Sequence, residues 1–238
     1  RFAAIASTFA LAGTVLVGCG AAGDATAASS ATTSAATGSS TTSTTSTSAA
    51  ETTATAIDTH YDEDDLTWDT SQEVAVTLAD GESSAASGAT VDGDTVTITE
   101  GGVYRISGTL SDGQVVVAAP EDQSVTLILD NATITNSSGS AISVLSADEV
   151  TIFLAESSTN AVTDGASYTV ADDATPVAAI ASAADLTIAG TGSLSVTGTT
   201  NDAICSADGL VIVSGTIEVT AADDGIRGKD YVQILDGD

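Results

Sequence analysis

The chain has 238 residues and carries 33 acidic side chains against 4 lysines and arginines, which gives a formal net charge of −29. Such acidity excludes nucleic acid and electrostatic docking on anionic lipid, because both partners are themselves negative. The charge fits either contact with divalent cations or protection of a β-rich protein against aggregation. The hydrophobic residues, 42% of the chain, are mostly small or β-branched, which favours thin layers of strands over disorder.

Residues 1–18 are predicted to be a lipoprotein signal peptide. The apolar stretch Phe2 to Val17 is too short and too rich in small residues for a confident spanning helix. It ends in Leu16-Val17-Gly18-Cys19, which resembles the lipobox of bacterial lipoproteins. The resemblance implies cleavage before Cys19 and acylation of its sulfur, so the membrane would be contacted through a lipid anchor only. Cys205 would then have no intrachain partner, and no disulfide framework is expected.

Residues 19–58 are predicted to be a disordered tether. They are rich in Ser, Thr and Ala, and such a composition cannot bury enough apolar surface to offset the entropy of ordering. An anchor followed by a flexible tether predicts display on the cell surface, lipid-anchored to the bacterial membrane. The folded domain is expected to occupy residues 59–238.

This domain is predicted to be all-β. It opens with an acidic run, Asp62–Asp65, which lacks the spacing and glycine of an EF-hand and is interpreted as a solvated turn. Short runs of Val, Ile, Leu and Thr, bounded by turn residues, then predict strands. The predicted strands are Glu73–Leu78, Thr95–Thr99, Val103–Leu110, Gln114–Ala119, Val125–Leu129 and Thr133–Thr135.

The C-terminal part carries a repeat, with Asp208 and Asp230 lying 22 residues apart at the ends of two similar segments. Superposing Ile204 on Ile226 aligns three polar pairs: Asn201 with Asp223, Asp202 with Asp224, and Asp208 with Asp230. A fixed period of this size predicts a right-handed parallel β-helix, a solenoid of stacked coils. A β-sandwich is the alternative, because regularly spaced short strands also suit it. A longer interval upstream predicts a loop insert at Glu156–Thr175.

Stacked coils would bring the aligned side chains to roughly 4.8 Å from one another. Carboxylates that close repel unless a cation lies between them, and calcium prefers oxygen ligands. The sequence therefore predicts bound Ca²⁺, with candidate ligands Asn201, Asp202, Asp208, Asp223, Asp224 and Asp230. The alternative is that these residues are solvated turn aspartates.

Three stretches resemble a family of bacterial carbohydrate-binding domain-containing lipoproteins: residues 103–114 (VYRISGTLSDGQ), 185–196 (DLTIAGTGSLSV) and 222–230 (ADDGIRGKD). A characterised member is a cell-surface protein of a cellulolytic clostridium that binds cellulose and polygalacturonate. The resemblance covers roughly residues 70–238. It implies a right-handed parallel β-helix like that of pectate lyases, with bound calcium. Because family members usually continue for further coils, we expect the domain to extend beyond Asp238.

These observations predict a non-catalytic, calcium-assisted polysaccharide-binding module at the bacterial cell surface. Arg227 and Lys229 could contact the carboxylate of an acidic sugar, or equally pair with neighbouring acids. The few aromatic residues are dispersed, so an acidic plant-type polymer such as polygalacturonate is favoured over cellulose. One alternative is a calcium-dependent pectate-type lyase, for which Arg227 and Lys229 are the candidate bases. Another is a structural or adhesive stalk without sugar specificity.

Overall fold

The structure is a computed structural model and describes residues 57–168 and 175–238. These residues belong to one compact unit, Ala54–Asp238. They are almost entirely β, with two short 3-10 helices at Glu63–Leu66 and Thr70–Gln72. Within this part of the chain, no helix is long and apolar enough to cross a bilayer. The predicted signal peptide, Cys19 and almost all of the predicted tether lie outside the described residues.

The strands form two open sheets. The large sheet has 11 strands: β1 (Val74–Ala79), β2 (Ser84–Ala85), β5 (Gly102–Leu110), β7 (Val125–Thr135), β9 (Glu149–Leu154), β10 (Thr159–Thr163), β12 (Asp185–Gly190), β13 (Ser193–Gly198), β15 (Gly209–Ile212), β16 (Thr216–Ala221) and β18 (Tyr231–Ile234). The small sheet has 7 strands: β3 (Ala89–Asp92), β4 (Thr95–Ile98), β6 (Gln114–Ala118), β8 (Ile142–Ser146), β11 (Ala178–Ser182), β14 (Asp202–Ser206) and β17 (Ile226–Gly228). The prediction of an all-β fold is confirmed.

Most neighbouring strands are parallel and come from successive repeats of the chain. In the small sheet β8, β11, β14 and β17 are consecutive neighbours, and every third strand therefore pairs with the next. Their register places Ile142, Ile180, Ile204 and Ile226 opposite one another, which confirms the alignment of Ile204 with Ile226. Among the described residues, antiparallel pairing is confined to β1–β2 and β3–β4. That pattern differs from the mainly antiparallel pairing of a β-sandwich.

A single cluster of buried apolar side chains joins the two sheets. On β12, Leu186 and Ile188 belong to this cluster, whereas Thr187 between them faces the other way. This alternation is the ordinary consequence of the two-residue period of a strand. The cluster also contains an aromatic residue, Tyr104, whose hydroxyl donates to the backbone oxygens of Gly88 and Glu100.

One predicted strand boundary was wrong. β7 joins the predicted strands Val125–Leu129 and Thr133–Thr135 into one continuous strand. Asn131 has a φ of 58°, a left-handed conformation that asparagine tolerates well, and the register with β5 shifts around it without ending the strand. Parallel pairing resumes at once, with Ala132 opposite Gly108 of β5.

The predicted insert at Glu156–Thr175 was also partly wrong, because it contains β10. This strand looks like a polar loop in the sequence but pairs with β7 on one side and β13 on the other. The buried side chain of Asn160 ties the three strands together. Its Oδ1 accepts a hydrogen bond from the backbone N–H of Ala132 at 2.9 Å, and its Nδ2 donates to the backbone oxygen of Ser193 at 3.1 Å. Residues 169–174 of the predicted insert lie outside the described residues.

Residues 57–72, which we call the N-terminal strap, cross the outer face of the large sheet. Trp68 packs edge-on against Phe153 of β9, with ring centroids 4.9 Å apart. The predicted acidic turn at Asp62–Asp65 begins a 3-10 helix. Asp62 Oδ1 accepts the N–H of Asp64 at 3.0 Å, and the N–H of Asp62 donates to Asp65 Oδ2 at 2.7 Å. These carboxylates therefore act as helix caps.

The start of the strap is fixed by His60. Its Nε2 lies 2.9 Å from the hydroxyl of Thr187 on β12, and its Nδ1 lies 2.5 Å from the hydroxyl of Tyr231 on β18. The same Nδ1 is 3.1 Å from a carboxylate oxygen of Asp185. The strap thus contacts β18 before the chain enters β1.

Candidate functional site

Three aspartates come together where two neighbouring strands of the small sheet begin, one at the start of β14 and two in the turn before β17. We call these three residues the acidic cluster: Asp202, Asp223 and Asp224. Each offers one carboxylate oxygen, and the three oxygens lie within 4.8 Å of one another. Asp202 is wholly buried as the first residue of β14, whereas Asp223 and Asp224 are exposed. The N–H of Asp224 donates to Asp202 Oδ1 at 3.2 Å. The register of β14 with β17 therefore brings together residues 22 positions apart.

The ion-pair partner of the buried Asp202 carboxylate is Arg227. Arg227 Nη1 lies 3.4 Å from Asp202 Oδ2, and the arginine side chain is 53% exposed. Arg105 provides a contrast, because it makes two bonds to Glu73, at 2.7 and 3.1 Å, and one to Asp130 at 3.1 Å. The guanidinium of Arg105 is therefore held by three hydrogen bonds to two carboxylates, whereas that of Arg227 makes one long contact with Asp202.

Arg227 and Lys229 both line an open cavity of about 320 Å³ on the outer side of β14 and β17. The opposite wall includes Pro176 and Val177, which precede β11. Asn201 joins the two walls, because its Nδ2 donates to the backbone oxygen of Val177 at 2.9 Å. The two bases predicted to contact sugar therefore face one cavity beside the acidic cluster.

Cys205 also borders this cavity but is a structural residue. It packs with Ala178 and Ala181 on the outer side of the small sheet. Burial, reinforced by the nearby Asp202 carboxylate, raises the pKa of the Cys205 thiol to about 11. A thiol with that pKa carries little thiolate near neutral pH, so a nucleophilic role is not supported.

Asp208 and Asp230 form a separate pair at the far end of the same strands. Asp208 lies six residues after Asp202, and an extended chain covers roughly 20 Å in that distance. The N–H of Asp230 donates to the backbone oxygen of Asp208 at 3.3 Å. Partial burial, with the charges of Asp185 and Asp230, raises the pKa of Asp208. The six candidate calcium ligands are thus divided between two places, with Asn201 bordering the cavity.

Two further titratable residues have environments that the sequence did not indicate. Tyr168 donates its hydroxyl proton to Asp164, and burial together with that bond raises the pKa of Tyr168. Burial raises the pKa of Glu149 to about 7, with smaller contributions from Asp65 and from the adjacent acids Asp148 and Asp185. The contribution of Asp65 to the second effect depends on the strap lying over the sheet, for which the sequence carries no signal.

Comparison with known proteins gives two positive findings. The model of a family described as "Carbohydrate-binding domain-containing protein" matches residues 92–238. A solved structure of a polysaccharide lyase-like protein from C. thermocellum, in the form of a gadolinium derivative, is similar to this chain, with 30% identity and a TM-score of 0.63. The similarity covers 69% of this chain and 80% of that one. A search of curated proteins gives no match.

Proposed function

Because the chain belongs to the family of carbohydrate-binding domain-containing proteins, we propose that it is a non-catalytic module that binds acidic polysaccharides with the help of calcium. The observation that carries this proposal is the cavity, where Arg227 and Lys229 present two positive charges on a protein of net charge −29. A guanidinium can hold a sugar carboxylate through two parallel hydrogen bonds. Local positive charge is needed because the protein as a whole repels an anionic polymer.

More specifically, we propose that the all-β fold is a right-handed parallel β-helix. Its support is the parallel pairing of every third strand in the C-terminal part, such as β8, β11, β14 and β17, with a single core joining the two sheets. Parallel crossover connections are almost always right-handed. In such a fold a polymer can lie along the stacked strands and meet side chains from several repeats.

The acidic cluster suits calcium. Its metal-binding atoms would be hard carboxylate oxygens. The buried carboxylate of the cluster, Asp202, has one long contact with the guanidinium of Arg227. Asp202, Asp223 and Asp224 would hold the ion, which would supply positive charge beside the cavity. Asp208 and Asp230 remain a second proposed position, and the side-chain oxygen of Asn201 remains a proposed additional ligand.

We expect the double substitution Asp223→Ala and Asp224→Ala to weaken calcium binding at least tenfold, because it removes two of three clustered carboxylates. Calorimetric titration of the folded domain measures this. The matched control is Glu121→Ala with Asp122→Ala, an exposed acidic pair in another turn. A titration that is the same for both double variants would remove the assignment.

The binding proposal is tested by retention on polygalacturonate and on cellulose, each with calcium and with a chelator. We expect calcium-dependent retention on polygalacturonate. Replacing both Arg227 and Lys229 by glutamine should reduce it at least tenfold, since a charge-assisted hydrogen bond contributes about 1.5–3 kcal/mol. Equal retention on every polymer, or retention on none, would instead indicate a stalk without sugar specificity.

A polysaccharide lyase is the second candidate, favoured by the likeness to a protein described as polysaccharide lyase-like. A lyase needs a base near the uronate, and the bases at the cavity are Arg227 and Lys229. Incubation of the domain with polygalacturonate and calcium decides between the candidates. Absorbance from unsaturated uronides that grows over many turnovers identifies a lyase, whereas a flat signal with retention identifies a binding module.

We also propose that the module is displayed on the cell surface through a lipid on Cys19, following the lipobox-like sequence. Replacing Cys19 by serine removes the acylated sulfur. The protein should then leave the membrane fraction, and unchanged fractionation would contradict the anchor.

A further inference from the structure

We propose that Arg227 is an exchangeable counter-ion. It neutralises the Asp202 carboxylate while no metal is bound, and it gives up this contact when a divalent cation occupies the acidic cluster. The released guanidinium then binds a sugar carboxylate in the cavity that it already lines. The proposal rests on the calcium and polysaccharide binding proposed above, and it adds that the two are coupled through one side chain.

The burial of Asp202 makes a positive partner necessary. A fully buried carboxylate is costly unless it is paired, whereas the exposed Asp223 and Asp224 are solvated by water. Arg227 meets that need with Nη1 at 3.4 Å from Asp202 Oδ2. A divalent cation among the three carboxylates would meet the same need more fully, because it carries two positive charges and prefers carboxylate oxygens as ligands.

The geometry of Arg227 permits the exchange. Its side chain is 53% exposed and makes one long contact with Asp202, whereas Arg105 is fixed by three bonds to two carboxylates. The exposed guanidinium loses little when it leaves, because water can solvate it, and the cation takes over the charge of the buried Asp202 carboxylate. A cation bound to Asp202 would also repel the guanidinium, since two positive charges a few ångströms apart are unfavourable even near the surface.

The exchange predicts reciprocal coupling between the two ligands. If the cation frees Arg227 for the sugar, the cation must tighten sugar binding, and the sugar must tighten cation binding by the same factor. We expect a factor of about ten, within the usual range for coupled sites. When residue 227 carries no charge, the coupling should fall to what the charge of the ion alone contributes.

The first test is calcium affinity without sugar, measured by calorimetry. Arg227→Gln should bind calcium at least fivefold more tightly than the wild type, because no resident cation has to be displaced. Lys229→Gln removes the same charge from the same cavity, but Lys229 is not the ion-pair partner of Asp202. This control should gain no more than about twofold, because it removes only a screened long-range repulsion between Lys229 and the cation. Equal gains in the two variants would overturn the exchange.

The second test is the affinity for a galacturonate oligomer with and without calcium. The wild type should gain about tenfold from calcium, and Arg227→Gln should gain no more than about twofold, from the charge of the ion alone. If Arg227→Gln is unstable without metal, its thermal midpoint gives a third readout. Calcium should raise that midpoint more than in the wild type, because it replaces the missing counter-ion of Asp202.

The possible failures are distinguishable. Calcium that binds no variant contradicts the calcium proposal, and the exchange with it. Calcium that binds without any affinity for the oligomer contradicts the polysaccharide proposal and the coupling. If both ligands bind the wild type and Arg227→Gln behaves as Lys229→Gln does, only the exchange is overturned.

Discussion

Replacing Gly190 by alanine is expected to lower the free energy of unfolding by about 3–4 kcal/mol, among the larger effects of a single substitution. Gly190 ends β12 with a φ of +107°, which L-residues rarely adopt. An added Cβ would lie 2.2 Å from the backbone oxygen of Leu154 on the neighbouring strand. That oxygen already accepts the N–H groups of Thr191 and Gly192 at 3.2 and 3.3 Å, so it cannot move without breaking them.

The measurement is thermal or denaturant unfolding of the wild type and the variant, where this loss corresponds to roughly a 10 °C fall in the midpoint. Gly81→Ala is the matched control. Gly81 also has a positive φ, of 67°, but a Cβ added there would have nothing within 4 Å. It therefore reports the backbone strain alone, about 1 kcal/mol. If Gly190→Ala destabilises no more than Gly81→Ala, the close packing of β12 on β9 is not the cause.

Replacing Glu149 by glutamine is expected to stabilise the protein above pH 7 and to have little effect near pH 4. Burial and the nearby acids raise the pKa of Glu149 to about 7 in the folded state, from an ordinary value of 4.5. The folded protein thus holds a proton that the unfolded chain releases. The contribution of this proton to the free energy of unfolding is fully present below pH 4.5. It is lost as the pH rises through 7, by up to roughly 2–3 kcal/mol.

Chemical denaturation at pH values from 4 to 8 tests this expectation. The wild type should lose stability across the range relative to Glu149→Gln, and the two curves should meet near pH 4. Glu156→Gln removes the same charge from an exposed turn position just after β9 and serves as the control. Parallel curves for the wild type and Glu149→Gln would show that the folded protein does not keep Glu149 protonated.

The repeat made part of the fold and of the site predictable. Alignment of Ile204 with Ile226 follows from the sequence period, and it correctly makes Asp202 and Asp224 neighbours. The burial of Asp202 could not be predicted, because its aligned partner Asp224 is exposed in the next repeat. β10 was not predicted because Thr159–Thr163 has little apolar pattern of its own. It forms a strand because its backbone pairs with β7 on one side and β13 on the other.

The contact between His60 and Tyr231 joins residues 171 positions apart, and this has a consequence for folding. In a stack of repeats each unit usually contacts only its neighbours, so the ends can fray one unit at a time. Here the strap bonds to β12 and β18 together, so β18 cannot detach from the sheet while His60 keeps these contacts. The strap can dock only after those strands have formed, which makes its closure a late, long-range step and the unit more cooperative than a simple linear array.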